Sequence, residues 1–441
     1  MDTHENVSTA TVSDQPEQVA LLDLASNILK QTQGLTAYLQ THQLQEPNFN
    51  WNSPDIPETP EYMDIQSKLS ASLDDLRRLV DGPRRFARSF ICQGNDLAAF
   101  QIAFEFNLFE IVPLKGSINV AELAKLAGLD VDRTSRVMRM LVTHRVFREN
   151  PEDLFSHTAV SAVFNREEGM RCAGAYILDE MWTAAASAAI SAKSSPYESD
   201  YNSCPFKTSH GVPLFKYYDM NPQLATRFAK AMAAVTTCEY LIPDLDRQIA
   251  ELRDYFPWNS LKGTVVDVGG GSGHVSIALA RNFPNLNFVV QDISTRMLDV
   301  GKSIITDDIA DRISFMQHDF FEPQPVKDVS AIFIRQCLHN WCDRDVVKIL
   351  RALVPALESS AAATSILIND TVLPAPGTMP LHEERGLRQM DMLMLVALGS
   401  KQRTCNEIQS LLTEADSRYR IHKVHSEGSM GLIEIQLERM L

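Results

Sequence analysis

The chain has 441 residues, of which 45% are hydrophobic and 22% charged, a balance typical of a globular protein with room for a catalytic domain and smaller units beside it. The formal net charge of -15 argues against sequence-independent binding to nucleic acid or to an anionic membrane, because both need a basic surface. Seven scattered cysteines without a Cys-x-x-Cys pair predict reduced thiols and a cytoplasmic protein.

The N-terminal part of the chain is predicted to be helical after a disordered tail. Residues 1–17 are polar and acidic, without the apolar stretch of a secretory leader, and no run of about 18 apolar residues follows. Residues 18–94 are predicted to form helices around a proline-rich linker. Apolar residues recur at helical spacing in 18–43 and 61–80, whereas 46–60 contains four prolines.

Residues 95–170 show the pattern of a winged helix, with three helical segments and a short hairpin. The helices are predicted at 97–111, 119–127 and 132–143, and the strands at 146–148 and 154–156. The third of these helices carries Arg133, Arg136 and Arg139, and Arg145 and Arg148 follow it. A winged helix can bind DNA or serve dimerisation, and the acidic net charge favours a solvated or salt-bridged face of a dimerisation domain.

The C-terminal half is predicted to contain a helical connector followed by an α/β domain. Residues 171–262 are predicted as a helical connector that carries substrate-pocket helices, with a long helical region from 171 to 249. Residues 263–441 alternate strands and helices, which predicts a parallel sheet covered on both faces. Strands are predicted at 264–268, 287–291, 313–316, 331–334 and 365–369, and helices at 274–282, 295–302, 344–357, 387–397 and 406–415. A hairpin of 419–423 and 432–437, joined by 426–431, would complete a seven-stranded, doubly wound, Rossmann-like fold.

A glycine-rich turn in Val265–His274 predicts a ligand site at the first of these strands. Gly269, Gly271 and Gly273 let the backbone take positive φ and approach a ligand closely, and Asp267 places a carboxylate at the end of the strand. A nucleotide-like cofactor is therefore expected there.

Acidic residues at the ends of the next two strands indicate which kind of cofactor binds. A dinucleotide fingerprint would need a small residue at His274, so the match to that class is poor. Asp292 can bind two ribose hydroxyls, Asp319 can accept a hydrogen bond from an exocyclic amine, and Phe320 can stack on a purine. Together these residues indicate an adenosine ligand without phosphate.

The segment after the fourth strand carries a family signature, Leu338-His-Asn-Trp-Cys-Asp343. With it the chain resembles the metal-independent, S-adenosylmethionine-dependent O-methyltransferases of plants and fungi, which act on small phenolic molecules. The resemblance extends from about residue 95 to the C-terminus and is most specific over 265–404. It implies S-adenosylmethionine as cofactor, no metal, a small aromatic substrate and a homodimer.

The resemblance also implies roles for individual residues. His339 takes the position of the general base. Asp370, in Asp370–Pro374, takes the position of the acid that orients it. The second supporting glutamate of the family is Gln402 here, within Lys401–Thr404, and an amide stabilises a positive charge less well than a carboxylate.

Ligand contacts follow from the same resemblance. The implied cofactor contacts are Gly269, Asp292, Asp319, Phe320 and Arg335, the last in place of a commoner lysine. The implied substrate contacts are Phe228, Met232, Trp341 and Met394.

Plainer interpretations stay open at several of these positions. Asp292 could cap the following helix, His339 could be an ordinary histidine at a helix start, and Met232 and Met394 could be core residues. The favoured function is methyl transfer to a phenolic or enolic hydroxyl. A methyltransferase-fold enzyme that catalyses a dehydration or pericyclic step is a second hypothesis, and a DNA-bound regulator is a third.

Overall fold

The computed structural model describes residues 20–235, 252–361 and 363–439. The α-helices that lie wholly within these ranges are α1 Leu21–Thr41, α2 Pro60–Glu105, α3 Leu108–Ile111, α4 Val120–Ala127, α5 Val131–Thr143, α6 Ala159–Arg166, α7 Glu168–Tyr176, α8 Trp182–Ala186, α9 Ala188–Ser194, α10 Pro205–His210, α11 Leu214–Met220, α12 Pro222–Val235, α13 His274–Asn282, α14 Thr295–Ile304, α15 Asp343–Ser359, α16 Leu381–Leu398 and α17 Cys405–Ala415. The strands are β1 Ile118–Asn119, β2 Phe147–Asn150, β3 Leu154–His157, β4 Gly263–Val268, β5 Leu286–Asp292, β6 Ile313–Gln317, β7 Ala331–Arg335, β8 Ser365–Leu373, β9 Arg403–Thr404, β10 Tyr419–Ser426 and β11 Gly428–Leu437. None of the helices in these ranges is both long and apolar enough to span a lipid bilayer.

The chain divides into two compact units. Residues up to Pro47 together with Pro54–Gln93 form the first, and Asn48–Ser53 together with Gly94–Leu441 form the second. The predicted tail, 1–17, lies outside the described residues. In the first unit, a small core forms around the buried side chains of Tyr38, Leu39 and Tyr62.

Helix α2 is longer than the sequence predicts. It includes a kink at Gly82, whose φ is 65°, and Pro83 follows, which cannot donate a backbone hydrogen bond. The predicted helix 97–111 is wrong as one element, because Asn107 adopts a φ of 53° and separates α2 from α3. Asparagine tolerates this left-handed conformation better than most residues, so a periodicity count does not detect the break.

The predicted order of helices and hairpin is found in residues 95–170. Helices α4 and α5 precede the antiparallel pair β2 and β3, and the two-residue strand β1 joins them in a three-stranded sheet of order β1-β3-β2. Three of these arginines are paired with acids, whereas Arg145 lies over the Phe49 ring and Arg148 donates a hydrogen bond to Asn50 Oδ1. Arg139 lies 2.8 Å from Glu149 and 2.7 Å from Asp153, and Arg133 and Arg136 each face an aspartate one turn away. These ion pairs match the alternative in which the arginines form a salt-bridged face.

The predicted helical region from 171 to 249 is a series of short helices, α7 to α12, as far as it lies in the described residues. A five-residue π-helical turn, Ile177–Met181, joins α7 to α8. Helices α10 and α12 each begin with a proline. Helix α10 is followed by Gly211, whose φ of 79° is not helical. The prediction of one long region missed these breaks, and residues 236–249 lie outside the described part of the chain.

The C-terminal domain has the predicted seven-stranded sheet. The order is β10-β11-β8-β7-β4-β5-β6, parallel from β8 to β6, with β11 and β10 antiparallel and the short β9 alongside β8. The predicted loop 426–431 is wrong, because β10 continues to Ser426 and β11 begins at Gly428. Position 431 in this strand requires glycine, because a side chain there would collide with Val372. Helix α16 also begins earlier than predicted, at Leu381.

A glycine on α14 sets how closely that helix approaches the sheet. A methyl group at Gly301 would overlap the Phe315 ring and lie 2.5 Å from the Ser272 carbonyl oxygen. At Gly34 in α1 a methyl group would lie 3.5 Å from Ile65, an ordinary contact. We therefore expect Gly301→Ala to destabilise the protein by about 1–3 kcal/mol and lower the thermal unfolding midpoint by a few degrees. Gly34→Ala is the control and should leave the midpoint unchanged or raise it. Equal midpoints for the two variants would contradict this account of the packing.

Candidate active site

The glycine turn between β4 and α13 is shaped for close backbone approach. Gly269, Gly271 and Gly273 have φ values of 71°, 58° and 71°, which favour glycine. A Cβ at Gly269 would lie 3.0 Å from Cys337 Sγ, and one at Gly273 would lie 2.9 Å from Val290. At Gly271 only the flexible end of Met297 comes within 4 Å, at 3.5 Å. A Cβ at Gly271 would thus make only an ordinary van der Waals contact, with the end of a flexible side chain.

Asp267 lies beneath this turn. Its side chain is buried, Ser276 Oγ donates a hydrogen bond to Oδ2 at 2.6 Å, and a Cβ at Gly270 would lie 2.5 Å from the same oxygen. Burial raises the pKa of the Asp267 carboxyl to about 6, although the Ser276 hydrogen bond and the charge of Arg335 oppose the shift. The carboxylate holds the turn in shape. A direct contact between Asp267 and the cofactor stays a prediction.

Asp292 is tied to the same turn from the neighbouring strand. Its Oδ2 accepts a hydrogen bond from the Gly271 N–H at 3.0 Å, and its Oδ1 accepts one from the Ser294 N–H at 2.8 Å. Ser294, not Asp292, is the N-cap of α14 and accepts from the Met297 N–H. The alternative in which Asp292 serves as the helix cap is therefore wrong.

The loop after β6 brings an aromatic wall to the turn. Phe320 Cε1 would lie 3.7 Å from a Cβ at Gly269, and the Phe320 ring meets the edge of Trp341 at 5.6 Å between centroids. Asp319 Oδ1 accepts a hydrogen bond from the Phe321 N–H at 3.0 Å, which fixes the start of the loop.

Arg335 ends β7 between two acids. Its guanidinium donates a hydrogen bond to the Asn369 side chain. Burial lowers the pKa of Arg335 to about 10, while the charges of Asp267 and Asp370 oppose the shift. Arg335 thus lies within electrostatic range of the acid beneath the glycine turn and of a second acid on β8.

That second acid, Asp370, faces His339. His339 lies on the short 3₁₀ turn Leu338–Asn340 after β7, and its Nδ1 is 2.6 Å from Asp370 Oδ1. The His339 N–H donates to Asp370 Oδ2 at 3.2 Å, and the Thr371 N–H donates to Oδ1 at 2.9 Å. Both side chains are largely buried. Burial alone would raise the pKa of Asp370, but the charge of His339 and these hydrogen bonds outweigh it and hold the pKa below its ordinary value.

Gln402 lies at the same site with an unsatisfied side chain. It is 2% exposed, and neither its Oε1 nor its Nε2 has a hydrogen-bond partner among the described residues. Its backbone N–H donates to Asp391 Oδ1 at 2.8 Å. Gln402 lines one small cavity together with His339, Asp370 and Thr371. The structure therefore brings the three residues predicted as catalytic to one cavity.

The predicted substrate contacts fall into two groups. Phe228 and Met232 on α12 and Met394 on α16 belong to one apolar cluster, in which the Phe228 ring stacks on Tyr218 at 4.7 Å. Trp341 is not in this cluster and packs on Phe320 and Phe321 instead.

Sequence reasoning missed two arginines. Arg227, beside Phe228, pairs with Asp179 at 2.7 Å and with the buried Glu180 at 2.8 Å, both on the π-helical turn. No spacing in the sequence signals this pairing. Arg403 donates hydrogen bonds to the carbonyl oxygens of Leu338 and Trp341, at 3.1 Å and 2.7 Å. Arg403 lies in the segment Lys401–Thr404, and the resemblance of that segment to the family pattern could have pointed to it.

Within the described ranges, no group of three or more histidine, cysteine, aspartate or glutamate side chains is placed to hold a metal ion.

Comparisons with known proteins decide the family. A model described as the O-methyltransferase domain matches residues 193–418, and one described as the O-methyltransferase dimerisation domain matches residues 95–167. The chain is 57% identical over 418 residues to a protein named O-methyltransferase sol2 from Alternaria solani, with 95% of each chain covered. The chain belongs to the O-methyltransferase family.

Solved structures confirm the fold of this O-methyltransferase. The crystal structure of OxaC aligns with a TM-score of 0.70 at 22% identity, covering 94% of this chain and 100% of OxaC. A structure described as a pericyclic reaction enzyme aligns with a TM-score of 0.68 at 18% identity, covering 94% of this chain and 100% of its own. At this low identity the shared fold does not tell whether a chain transfers a methyl group or catalyses a pericyclic step. The sequence relatives favour methyl transfer.

The buried Asp267 carboxyl predicts a pH dependence of stability. Its pKa of about 6 in the folded protein lies above the ordinary value of 3.8, so the unfolded chain loses this proton first as the pH rises. Between about pH 4 and pH 6 the wild type should lose up to about 3 kcal/mol of stability relative to Asp267→Asn, which has no proton to lose. Above that range the difference should be constant. Urea unfolding of both proteins from pH 4 to pH 8 measures this loss, and a wild type that becomes more stable relative to Asp267→Asn between pH 4 and pH 6 would contradict the prediction.

Proposed function

We propose that this enzyme transfers the methyl group of S-adenosylmethionine to a phenolic or enolic hydroxyl of a small aromatic secondary metabolite, such as a fungal polyketide. The single observation that carries the proposal is the His339–Asp370 pair, with 2.6 Å between Nδ1 and Oδ1, at the end of the sheet that carries the glycine turn. The fungal origin of the relative sol2 supports this class of substrate.

The residues at the glycine turn fit S-adenosylmethionine. The positive φ values of the glycines let the backbone of the turn approach the methionine and ribose parts; Asp292 is proposed for the ribose hydroxyls, and Phe320 beside the turn is proposed for the adenine ring. Asp319 is proposed for the exocyclic amine, and Arg335 completes the set. When bound, the cofactor supplies an electrophilic methyl group on a positively charged sulfur.

His339 must remove the proton of the acceptor hydroxyl. A phenol has a pKa of about 10 and imidazole one of about 6.5, so complete proton transfer before attack is uphill by roughly 5 kcal/mol. Proton removal is therefore expected to accompany attack on the methyl group. Asp370 orients the imidazole and stabilises the imidazolium that forms.

The predicted substrate contacts are proposed to have a different task. Phe228, Met232 and Met394 are proposed to hold the aromatic acceptor and exclude water, with Trp341 as a further wall beside Phe320. Methyl transfer needs the acceptor oxygen in line with the sulfur–carbon bond, so positioning supplies much of the rate.

We also propose that residues 95–167 form a homodimer through a winged-helix arrangement, as the name of the matching model suggests. The pairing of Arg139 with Glu149 and Asp153 supports dimerisation over DNA binding. The six cysteines in the described part of the chain are free thiols, which supports a reducing compartment such as the cytoplasm.

Replacement of the base gives the direct test. With methyl-labelled cofactor and a panel of polyhydroxylated aromatics, the wild type should label an acceptor. His339→Ala should lower the rate by about 10²–10⁴-fold, because proton removal is lost while the cofactor turn is untouched. Cofactor affinity measured by calorimetry should change less than twofold. A variant that keeps most of the wild-type rate would exclude His339 as the base. Acceptor turnover with unconsumed cofactor would instead support the pericyclic or dehydrating alternative.

Gln402 allows a second test. Gln402→Glu places a carboxylate near the imidazolium, which it stabilises in the transition state. We expect the turnover number to rise about threefold to tenfold, with little change in KM. Gln402→Leu, of similar size without polar atoms, should lower it. Equal turnover for the two variants would show that the side chain at this position does not act on the base.

A further inference from the structure

Arg403 makes an unusual set of contacts for a buried arginine. It lies on β9, is 4% exposed, and uses its guanidinium in three directions. Nη1 donates a hydrogen bond to the Leu338 carbonyl oxygen at 3.1 Å, Nη2 donates to the Trp341 carbonyl oxygen at 2.7 Å, and Nε donates to Asp343 Oδ1 at 2.9 Å. The guanidinium thus contacts the segment from Leu338 to Asp343 at three points.

The two carbonyl groups flank the base. Leu338 directly precedes His339, and Trp341 follows it by two residues. The turn between them is a single 3₁₀ turn, closed by a hydrogen bond from the Trp341 N–H to the Leu338 carbonyl oxygen at 3.1 Å. One short turn has few hydrogen bonds of its own, so its geometry depends on groups outside it.

The backbone of Arg403 lies next to the other half of the pair. β9 runs parallel to β8, with Arg403 in register with Val372 and Thr404 with Leu373, two and three residues after Asp370. The side chain of Arg403 therefore holds the turn that carries His339, while its backbone pairs with the strand that carries Asp370. One residue connects both members of the pair.

Neighbouring charges anchor this connection. Asp343 accepts from Arg403 and lies 3.1 Å from Lys401 Nζ, and Lys401 lies 2.9 Å from Glu407. The Glu407 carboxylate in turn accepts from the Thr404 N–H at 2.9 Å and forms the capping box of α17. Arg403 is thus fixed from the helix that follows it.

We propose that Arg403 is a positioning residue that sets the distance and angle between His339 and Asp370. This inference rests on the proposed function, in which His339 removes the acceptor proton. A displacement of a catalytic group by about 1 Å can cost about 10²-fold in rate, so the contacts of Arg403 should appear in turnover more than in binding.

Arg403→Lys separates the geometry of the guanidinium from its charge. Lysine keeps the positive charge but cannot reach two carbonyl oxygens and Asp343 with a planar fork. We expect the turnover number to fall about 10- to 100-fold, with KM and cofactor affinity within twofold of the wild type. Arg344→Lys is the matched control, because Arg344 is 66% exposed and contacts Asp200 and Asp345 instead. A fall in Arg403→Lys no larger than in this control would overturn the proposal.

Two further measurements distinguish a role through His339 from a general structural role. In a His339→Ala background, Arg403→Lys should cost no additional rate, because the group it positions is gone. Acceptors with a lower phenol pKa need less help from the base, so the loss in Arg403→Lys should shrink as acceptor pKa falls. Additive losses, or equal losses for all acceptors, would indicate a structural role only.

A readout without turnover keeps this inference separate from the proposed function. Diethyl pyrocarbonate acylates imidazole rings, and peptide mass spectrometry follows the modification of His339 alone. In Arg403→Lys, modification should be several-fold faster than in wild type and in Arg344→Lys, because the turn is less restrained. Unchanged modification would contradict the inference even if methyl transfer is found, and faster modification would support it even if no acceptor is found. Should Arg403→Lys not fold, Asp343→Asn, which weakens the same anchor, should show the same pattern at smaller size.

Discussion

The parallel pairing of β7 with β8 is the constraint on which the active site depends. It places Arg335 opposite Asn369, so the residues that follow β7 emerge beside Asp370. Asp370 is 5% exposed, and a carboxylate at that depth is costly unless charge and hydrogen bonds compensate it. His339 and two backbone N–H groups supply that compensation. The turn after β7 therefore cannot move away without leaving a buried charge unpaired, and the position of His339 follows from the stability of Asp370.

The same logic connects the cofactor turn to the base. Asp267 beneath the glycine turn and Asp370 beside His339 are both buried, and Arg335 lies within electrostatic range of the two. A single buried cation shared by two buried acids reduces the cost of each. The glycine turn and the His339–Asp370 pair are thus parts of one charge arrangement across β4, β7 and β8.

The fold and the candidate residues were accessible from the sequence because their signals are local. The strands and the glycine turn depend on runs of a few residues, and the signature around His339 is contiguous. The errors have a common cause in contacts made at a distance. Position 431 within β11 requires glycine because a side chain there would collide with Val372 on the neighbouring strand, and the pairing of Arg227 with Glu180 joins residues 47 apart in the chain. Neither a turn propensity nor a period of 3.6 contains that information. Asp292 and Ser294 are both residue types that cap helices and lie two positions apart, so composition alone does not decide which of them is the cap. In the structure the cap is Ser294.

Gln402 shows how stability and function diverge at this site. A buried amide with no partner costs about 1–3 kcal/mol for each unsatisfied group, and both of its polar atoms are in that state. An apolar side chain would avoid this cost, and a carboxylate would add an unpaired charge beside Asp370. Other contacts hold Gln402 in place. Its neighbours Lys401 and Arg403 both pair with Asp343, and its own backbone N–H donates to Asp391. Both atoms belong to a residue that lines the same cavity as His339 and Asp370. A ligand hydroxyl that paired with either atom would recover part of this cost, whereas an apolar side chain at this position would gain nothing from such a ligand.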